Sequence, residues 1–114
     1  MVVLEPGVVV VIRFPYSDLS ASKSRPAVVL APADNAEWVM CQVTSNPYTD
    51  AEAIPLTPKS FVAGGLSSSG YARPSKLFTA SESIVTARVG ALRPESHRAI
   101  VEAIVSLLTR SLLP

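Results

Sequence analysis

The 114-residue sequence has one cysteine, Cys41, and one histidine, His97. An internal disulfide is therefore excluded, and a cysteine-based zinc site would lack its other ligands. A reduced, cytoplasmic setting fits. Long apolar runs are also missing: Val8 to Ile12 is five residues long, against the roughly 20 that a helix needs to cross a bilayer. Met1 to Pro6 carries no basic segment of the kind that opens a signal peptide, so a soluble, unexported protein with no membrane partner is expected. Charge of one sign is scarce as well. Ten lysines and arginines against nine aspartates and glutamates leave +1, which argues against the broad basic footprint of a protein that coats nucleic acid. Any nucleic-acid site must be local.

What is abundant is apolar surface. Hydrophobic residues make up 48% of the chain, enough to build one core and define one domain over residues 1–114 without disulfide or metal support. The excess also suggests a surface used for self-association. Val8 to Ile12 is an unbroken run of β-branched residues, which favours the pleated strand over the helix. Its lack of polar alternation predicts that both faces are covered, as in a barrel or a dimer interface.

A loop rich in proline and serine follows, running from Pro15 to Ser24. At about ten residues it exceeds a tight hairpin connection and is either a cover over a binding site or a plain hairpin loop. It leads into Lys23-Ser24-Arg25-Pro26 and the apolar Ala27 to Leu30. Because Pro26 biases the residue before it toward extended geometry, Arg25 is expected to open a strand. That strand should turn at Pro32 to Asn35 and return as Glu37 to Val43, delivering Thr44 and Ser45 at its far end. Antiparallel pairing then sets Thr44 and Ser45 beside Arg25.

Downstream, Ile54-Pro55-Leu56 reads as a short strand confined to an edge or an end by its proline. Thr57 and Pro58 read as the cap and first residue of a single helical turn. Arg73-Pro74 repeats the Arg-Pro pair and is expected at the mouth of a strand through Leu77 to Thr79. Another extended piece runs from Ile84 to Val89. From Pro94 to Arg110, Ile100, Ile104, Leu107 and Leu108 recur at helical spacing, with Val101 and Val105 widening the stripe, and predict an amphipathic helix packed on a sheet.

The chain resembles the MazF/PemK-like family of toxin ribonucleases from type II toxin–antitoxin systems. The similar segments are Gly7 with the valine strand, Phe14-Pro15-Tyr16-Ser17-Asp18, Lys23 to Leu30, Gln42 to Ser45, Ala63 to Leu66, and Arg73 to Thr79. The resemblance implies a mainly β fold with short helices, an SH3-like small β-barrel of the MazF/CcdB kind with a C-terminal amphipathic helix, assembled as a homodimer. It further implies cleavage of single-stranded RNA without metal or other cofactor. In that reaction the 2′-hydroxyl attacks the adjacent phosphate, leaving a 2′,3′-cyclic phosphate and a 5′-hydroxyl. A cognate antitoxin would block the RNA groove.

Such a reaction needs donors for the charged phosphorane, a base and an acid. Arg25, permanently cationic with a planar fork of donors, suits the phosphate and its transition-state charge. Thr44 is its expected catalytic partner. Ser45, Arg73, Lys76, Lys23, Tyr16 and Asp18 are the expected RNA-binding residues: Tyr16 for base stacking, the lysines for phosphates. Either lysine is equally a solvated surface residue. Ser75 stands where several family members carry an aspartate, so the general base is unassigned. Asp18 is an alternative carboxylate, or simply an Asx-turn residue. His97 lies in the first helical turn, away from the strand mouths, and Trp38 reads as core or dimer surface. The other readings are a barrel that binds RNA without turnover and a gyrase poison of the CcdB kind. The latter is disfavoured by an ending, Ser111-Leu112-Leu113-Pro114, with no tryptophan.

Overall fold

A computed structural model describes residues 3–15, 22–48 and 50–114. Seven strands form one antiparallel sheet: β1 (Val8–Pro15), β2 (Ser22–Pro32), β3 (Glu37–Thr44), β4 (Ile54–Leu56), β5 (Phe61–Gly64), β6 (Gly70–Ser81) and β7 (Val85–Leu92). Their order across the sheet is β4-β6-β3-β2-β1-β7-β5. The sheet curls into a half-barrel whose edges, β4 and β5, do not pair with each other. One helix, α1 (Pro94–Thr109), follows.

The uninterrupted valines of β1 are explained by two apolar clusters, one on each side of the sheet. Val9 joins Val28, Cys41, Val43, Leu56, Phe61 and the helix residues Ile100 and Ile104. Val8, Val10 and Ile12 point the other way, toward Ala27, Val29 and Met40. Both faces of the strand are thus covered within the chain itself, so hydrophobic burial, the dominant favourable term in folding, operates on each.

Turn chemistry sets the registers. The β2–β3 hairpin closes with Asn35 and Ala36 both at φ 57°, the positive-φ pair that matches the twist of the flanking strands, and Glu37 N–H donates to Asp34 O at 3.1 Å. Thr57 caps the turn Pro58–Ser60 in a reciprocal arrangement with Ser60, as its sequence predicts. β5 depends on Gly64, at φ 65°, where an added Cβ would lie 2.2 Å from Val89 O.

Two expectations are corrected. Arg73 is not at a strand mouth; it lies inside β6, where Cys41 pairs with Leu77 and Val43 with Ala72. The residues from Arg73 to Lys76 therefore bulge opposite Gln42, a local kink that re-aims side chains. In α1, only Ile100 and Ile104 are buried. Val105 is 53% and Leu108 58% exposed, and Val101 is also on the outer face, so the packed stripe is narrower than helical spacing alone suggests.

Candidate functional site

A cavity of about 280 Å³ opens beside the first half of β2 and the end of β3; β2 begins at Ser22, so Arg25 lies three residues inside the strand that it was expected to open. The pairing explains its composition. β2 and β3 run in register from Ala27↔Gln42, and the same count carried two steps further sets Arg25 level with Thr44. Thr44 in turn pairs with Tyr71 of β6, and Arg25 pairs with Ile12 of β1. Arg25, Thr44 and Ser45 all line the cavity, together with Ser24 and the hydroxyls of Ser67, Ser68 and Ser69. Gly70 completes the wall, and a Cβ there would lie 2.7 Å from Leu66 Cδ1 and 3.0 Å from Val43 Cγ1. A side chain at position 70 would push into the cavity's apolar wall.

Arg25 is half-buried, with its Nε shielded from solvent. A guanidinium among hydroxyls is suited to an anion with several oxygens, because all these groups donate hydrogen bonds. Thr44 Oγ1 donates to Asn46 O at 3.1 Å and accepts from Asn46 N–H at 3.3 Å, so its proton must rotate away to meet a ligand. Among the described residues, neither a carboxylate nor an imidazole lines the cavity.

Arg73 occupies a different setting and is not part of the cavity lining. Its Nε donates to Asp50 Oδ2 at 2.7 Å. Asp50 Oδ1 accepts the Glu52 N–H at 3.0 Å. The Arg73 hydrogen bond is the main cause holding the Asp50 carboxyl below the usual carboxylate range, with smaller help from the Glu52 N–H and the charges of Arg73 and Lys76, against the opposing effect of burial. Lys76 and Ser75, also on the bulge, are exposed.

Lys23 pairs with Phe14 at the open end of β2; its side chain lies outside the described residues, as do Tyr16 and Asp18. Trp38 packs on the cluster around Met40 and donates from Nε1 to Glu82 Oε2 at 2.8 Å, a structural role. His97 packs against Gly7 and lines a separate hollow beside Pro94 and Arg98. Burial pushes the Cys41 thiol up to about 12, opposed by N–H donors from Arg73 and Val28, which removes it as a nucleophile. Among the described residues no cluster of His, Cys, Asp or Glu suits a metal ion, and no helix is long and apolar enough to cross a membrane.

Sequence reasoning missed two contributors. The serines at 67–69 carry no motif beyond their polarity, and Asp50 is one polar residue among several between β3 and β4. Nothing local marks a partnership with Arg73, 23 positions away.

Residues 5–108 match the family model for the PemK-like, MazF-like toxin of type II toxin–antitoxin systems. No curated protein sequence matches. Among similar solved structures is MazE-MazF from Deinococcus radiodurans, with 19% identity, a TM-score of 0.75 and coverage of 94% of this chain and 97% of that one. Another is the Mycobacterium tuberculosis toxin MazF-mt6, with 16% identity, a TM-score of 0.67 and coverage of 89% and 95%. A mycobacterial endoribonuclease in complex with its cognate antitoxin matches at 19% identity and a TM-score of 0.63 over 98% of both chains. At these identities the likeness of structure concerns the fold.

Proposed function

Since the chain belongs to the PemK-like, MazF-like toxin family of type II toxin–antitoxin systems, we propose that it is a sequence-selective endoribonuclease that cleaves single-stranded RNA without metal. The observation that carries this reading is the convergence of Arg25, Thr44 and Ser45 on one hydroxyl-lined cavity. The substrate 2′-hydroxyl gives up its proton and attacks the neighbouring phosphorus, and the 5′-oxygen leaves as its bond to phosphorus breaks and takes up a proton to become the 5′-hydroxyl. Arg25 offers two or more N–H donors to the non-bridging oxygens, where negative charge grows in the transition state. Thr44 Oγ1 turns its proton from Asn46 O to the same phosphate. Ser45, Lys23, Lys76, Arg73, Tyr16 and Asp18 are assigned to RNA binding, and residues 1–114 to one toxin domain. In this reading the protein is a cytoplasmic homodimer held inactive by a cognate antitoxin.

The test is incubation of purified protein with a long RNA, with and without EDTA, followed by analysis of the new ends. Cleavage in both conditions with 2′,3′-cyclic phosphate and 5′-hydroxyl termini is expected. Arg25→Ala is expected to lose about 10²-fold or more of the rate, the scale of removing a charge-stabilising donor. Cleavage that EDTA abolishes, or an Arg25→Ala protein as active as wild type, would overturn the reading.

A second reading, RNA binding without turnover, is favoured by one observation: the described lining of the cavity has no carboxylate or imidazole to act as base. Retention of RNA without new ends in the same assay selects it.

A further inference from the structure

Resting on the RNA-cleaving reading, we infer that Asp50 is a positioning residue that aims Arg73 at a second phosphate, one that flanks the phosphate held at Arg25. Asp50 does not touch RNA in this account; it acts through the guanidinium.

The geometry starts with how each carboxylate oxygen is used. Oδ1 is held by the Glu52 N–H at 3.0 Å and Oδ2 by Arg73 Nε at 2.7 Å. The loop itself is braced by Asp50's backbone: its N–H donates to Pro47 O at 2.9 Å, and its O accepts from Ala53 N–H at 3.3 Å. The acid is therefore fixed before the arginine reaches it. Its side chain is 7% exposed, whereas that of Arg73 is 26% exposed, so the anion is covered and part of the cation faces solvent. Asp50 engages Nε alone. Among the described residues no side-chain or backbone acceptor engages Nη1 or Nη2 of Arg73, which are the two donors that grip a phosphate in a fork.

Placement supports the same role. Burial alternates regularly from Gly70 to Pro74, so Tyr71 and Arg73 project from the same side of β6. Tyr71 is level with Thr44, and Thr44 with Arg25. With two strand spacings across and two residues along, the Cα atoms of Arg25 and Arg73 are on the order of 12 Å apart. A single RNA strand can lie on both. An arginine free to swing would lose side-chain entropy on meeting phosphate; one already held at Nε has lost part of it.

The sign of the effect of removing Asp50 separates this role from simple electrostatics. Deleting a negative charge near a nucleic-acid site should tighten binding if the charge acts only through its field. If Asp50 positions Arg73, deletion should weaken binding and remove one phosphate contact from the salt dependence, about 0.7 of a unit in the slope of log K against log salt for a single strand.

The experiment measures binding of a randomised-sequence 2′-O-methyl RNA pool, which cannot attack its own phosphate, across a series of salt concentrations. Asp50→Ser is the main variant, since serine can still accept from the Glu52 N–H but is too short to reach Arg73. We expect about tenfold weaker binding, the scale of a lost charged hydrogen bond, and a slope reduced by about 0.7. Arg73→Ala should do the same, and the double variant should be no worse than either. Asp50→Asn, which keeps an oxygen for Nε, should restore affinity to within about threefold and recover the slope. Thermal unfolding of each variant identifies any that is not folded; Asp50→Asn then carries the comparison, and a folded Asp50→Asn protein with the reduced slope overturns the inference. Wild-type affinity and slope in Asp50→Ser, or binding tighter than wild type, would also overturn it. Failure of the wild type itself to hold the pool would instead overturn the RNA reading on which the inference rests.

Discussion

The chain uses the dipeptide Arg-Pro twice, and the two copies have opposite surroundings. Arg25-Pro26 sits in a strand flanked by β1 and β3, and its guanidinium borders a cavity of serine and threonine hydroxyls without a described carboxylate. Arg73-Pro74 begins a bulge in β6, its guanidinium held at Nε by Asp50. The proline acts alike in both: it keeps the arginine extended. What differs is the partner. Arg25 faces hydroxyls delivered by the end of β3, whereas Arg73 faces an acid delivered by the loop just beyond it. A guanidinium bordered by hydroxyls and one fixed at Nε by an acid therefore meet a ligand in different ways: the first shares it with neighbouring donors, the second offers it a set direction.

The sharpest way to break this contrast is to truncate each arginine. In the proposed reaction Arg25→Ala is expected to lower single-turnover cleavage by about 10²-fold or more, and Arg73→Ala only about tenfold, chiefly through weaker binding. Equal losses would mean that both cations meet the reacting phosphate.

Acid sharpens it next. The Asp50 carboxyl is held below its ordinary value by the Arg73 hydrogen bond, so the pair's contribution to stability is complete above about pH 4, the unfolded value. It is lost as pH falls through the lower folded value, because the unfolded state then binds the extra proton. Denaturant titrations from pH 6 to pH 2 should show a steeper acid loss in wild type than in Asp50→Asn. Arg73→Ala, which removes the same hydrogen bond from the other side, should also lose less stability in acid than wild type.

Cys41 reports on the layer behind both arginines, since its sulfur takes N–H groups from Val28 and Arg73. With its thiol value raised to about 12, the folded protein should resist a disulfide reagent at pH 8, while denatured protein reacts at once. Faster labelling in Arg73→Ala than in Arg25→Ala would place the looser backbone at the bulge.

The smallest effect belongs to a control far from either arginine. Ala36 holds φ 57°, a conformation that costs a residue with a Cβ about 1–2 kcal/mol. Glycine removes that strain but loses about 0.5–1 kcal/mol in entropy. Ala36→Gly should therefore stabilise by about 1 kcal/mol or less, with cleavage unchanged.

Much of the frame was legible in the residues. The branched run of β1, the turn at Pro32 to Asn35 and the Thr57-Pro58 cap each carry a local physical signal, and pairing logic alone set Thr44 beside Arg25. β5 escaped because it is four residues long and is made by close backbone approach at Gly64, not by side-chain pattern. The bulge and Asp50 escaped for a related reason: a register shift and a loop-to-strand ion pair exist only once distant segments meet. The outer residues of α1 show the converse error, since Val105 and Leu108 have the spacing of a packed face but no cover in the chain.

A curled sheet that does not close retains two edges, and unpaired edges invite other strands to add to them. Here those edges are β4 and β5, of three and four residues. One carries Pro55, which has no N–H to offer, and the other ends in a glycine pressed onto β7. Neither gives an incoming strand a long row of donors and acceptors, but β4 covers only Gly70–Ala72 of β6 and β5 only Gly90–Leu92 of β7. Among the described residues the rest of each longer strand is therefore paired on one side alone, and that is where a further strand has room to add.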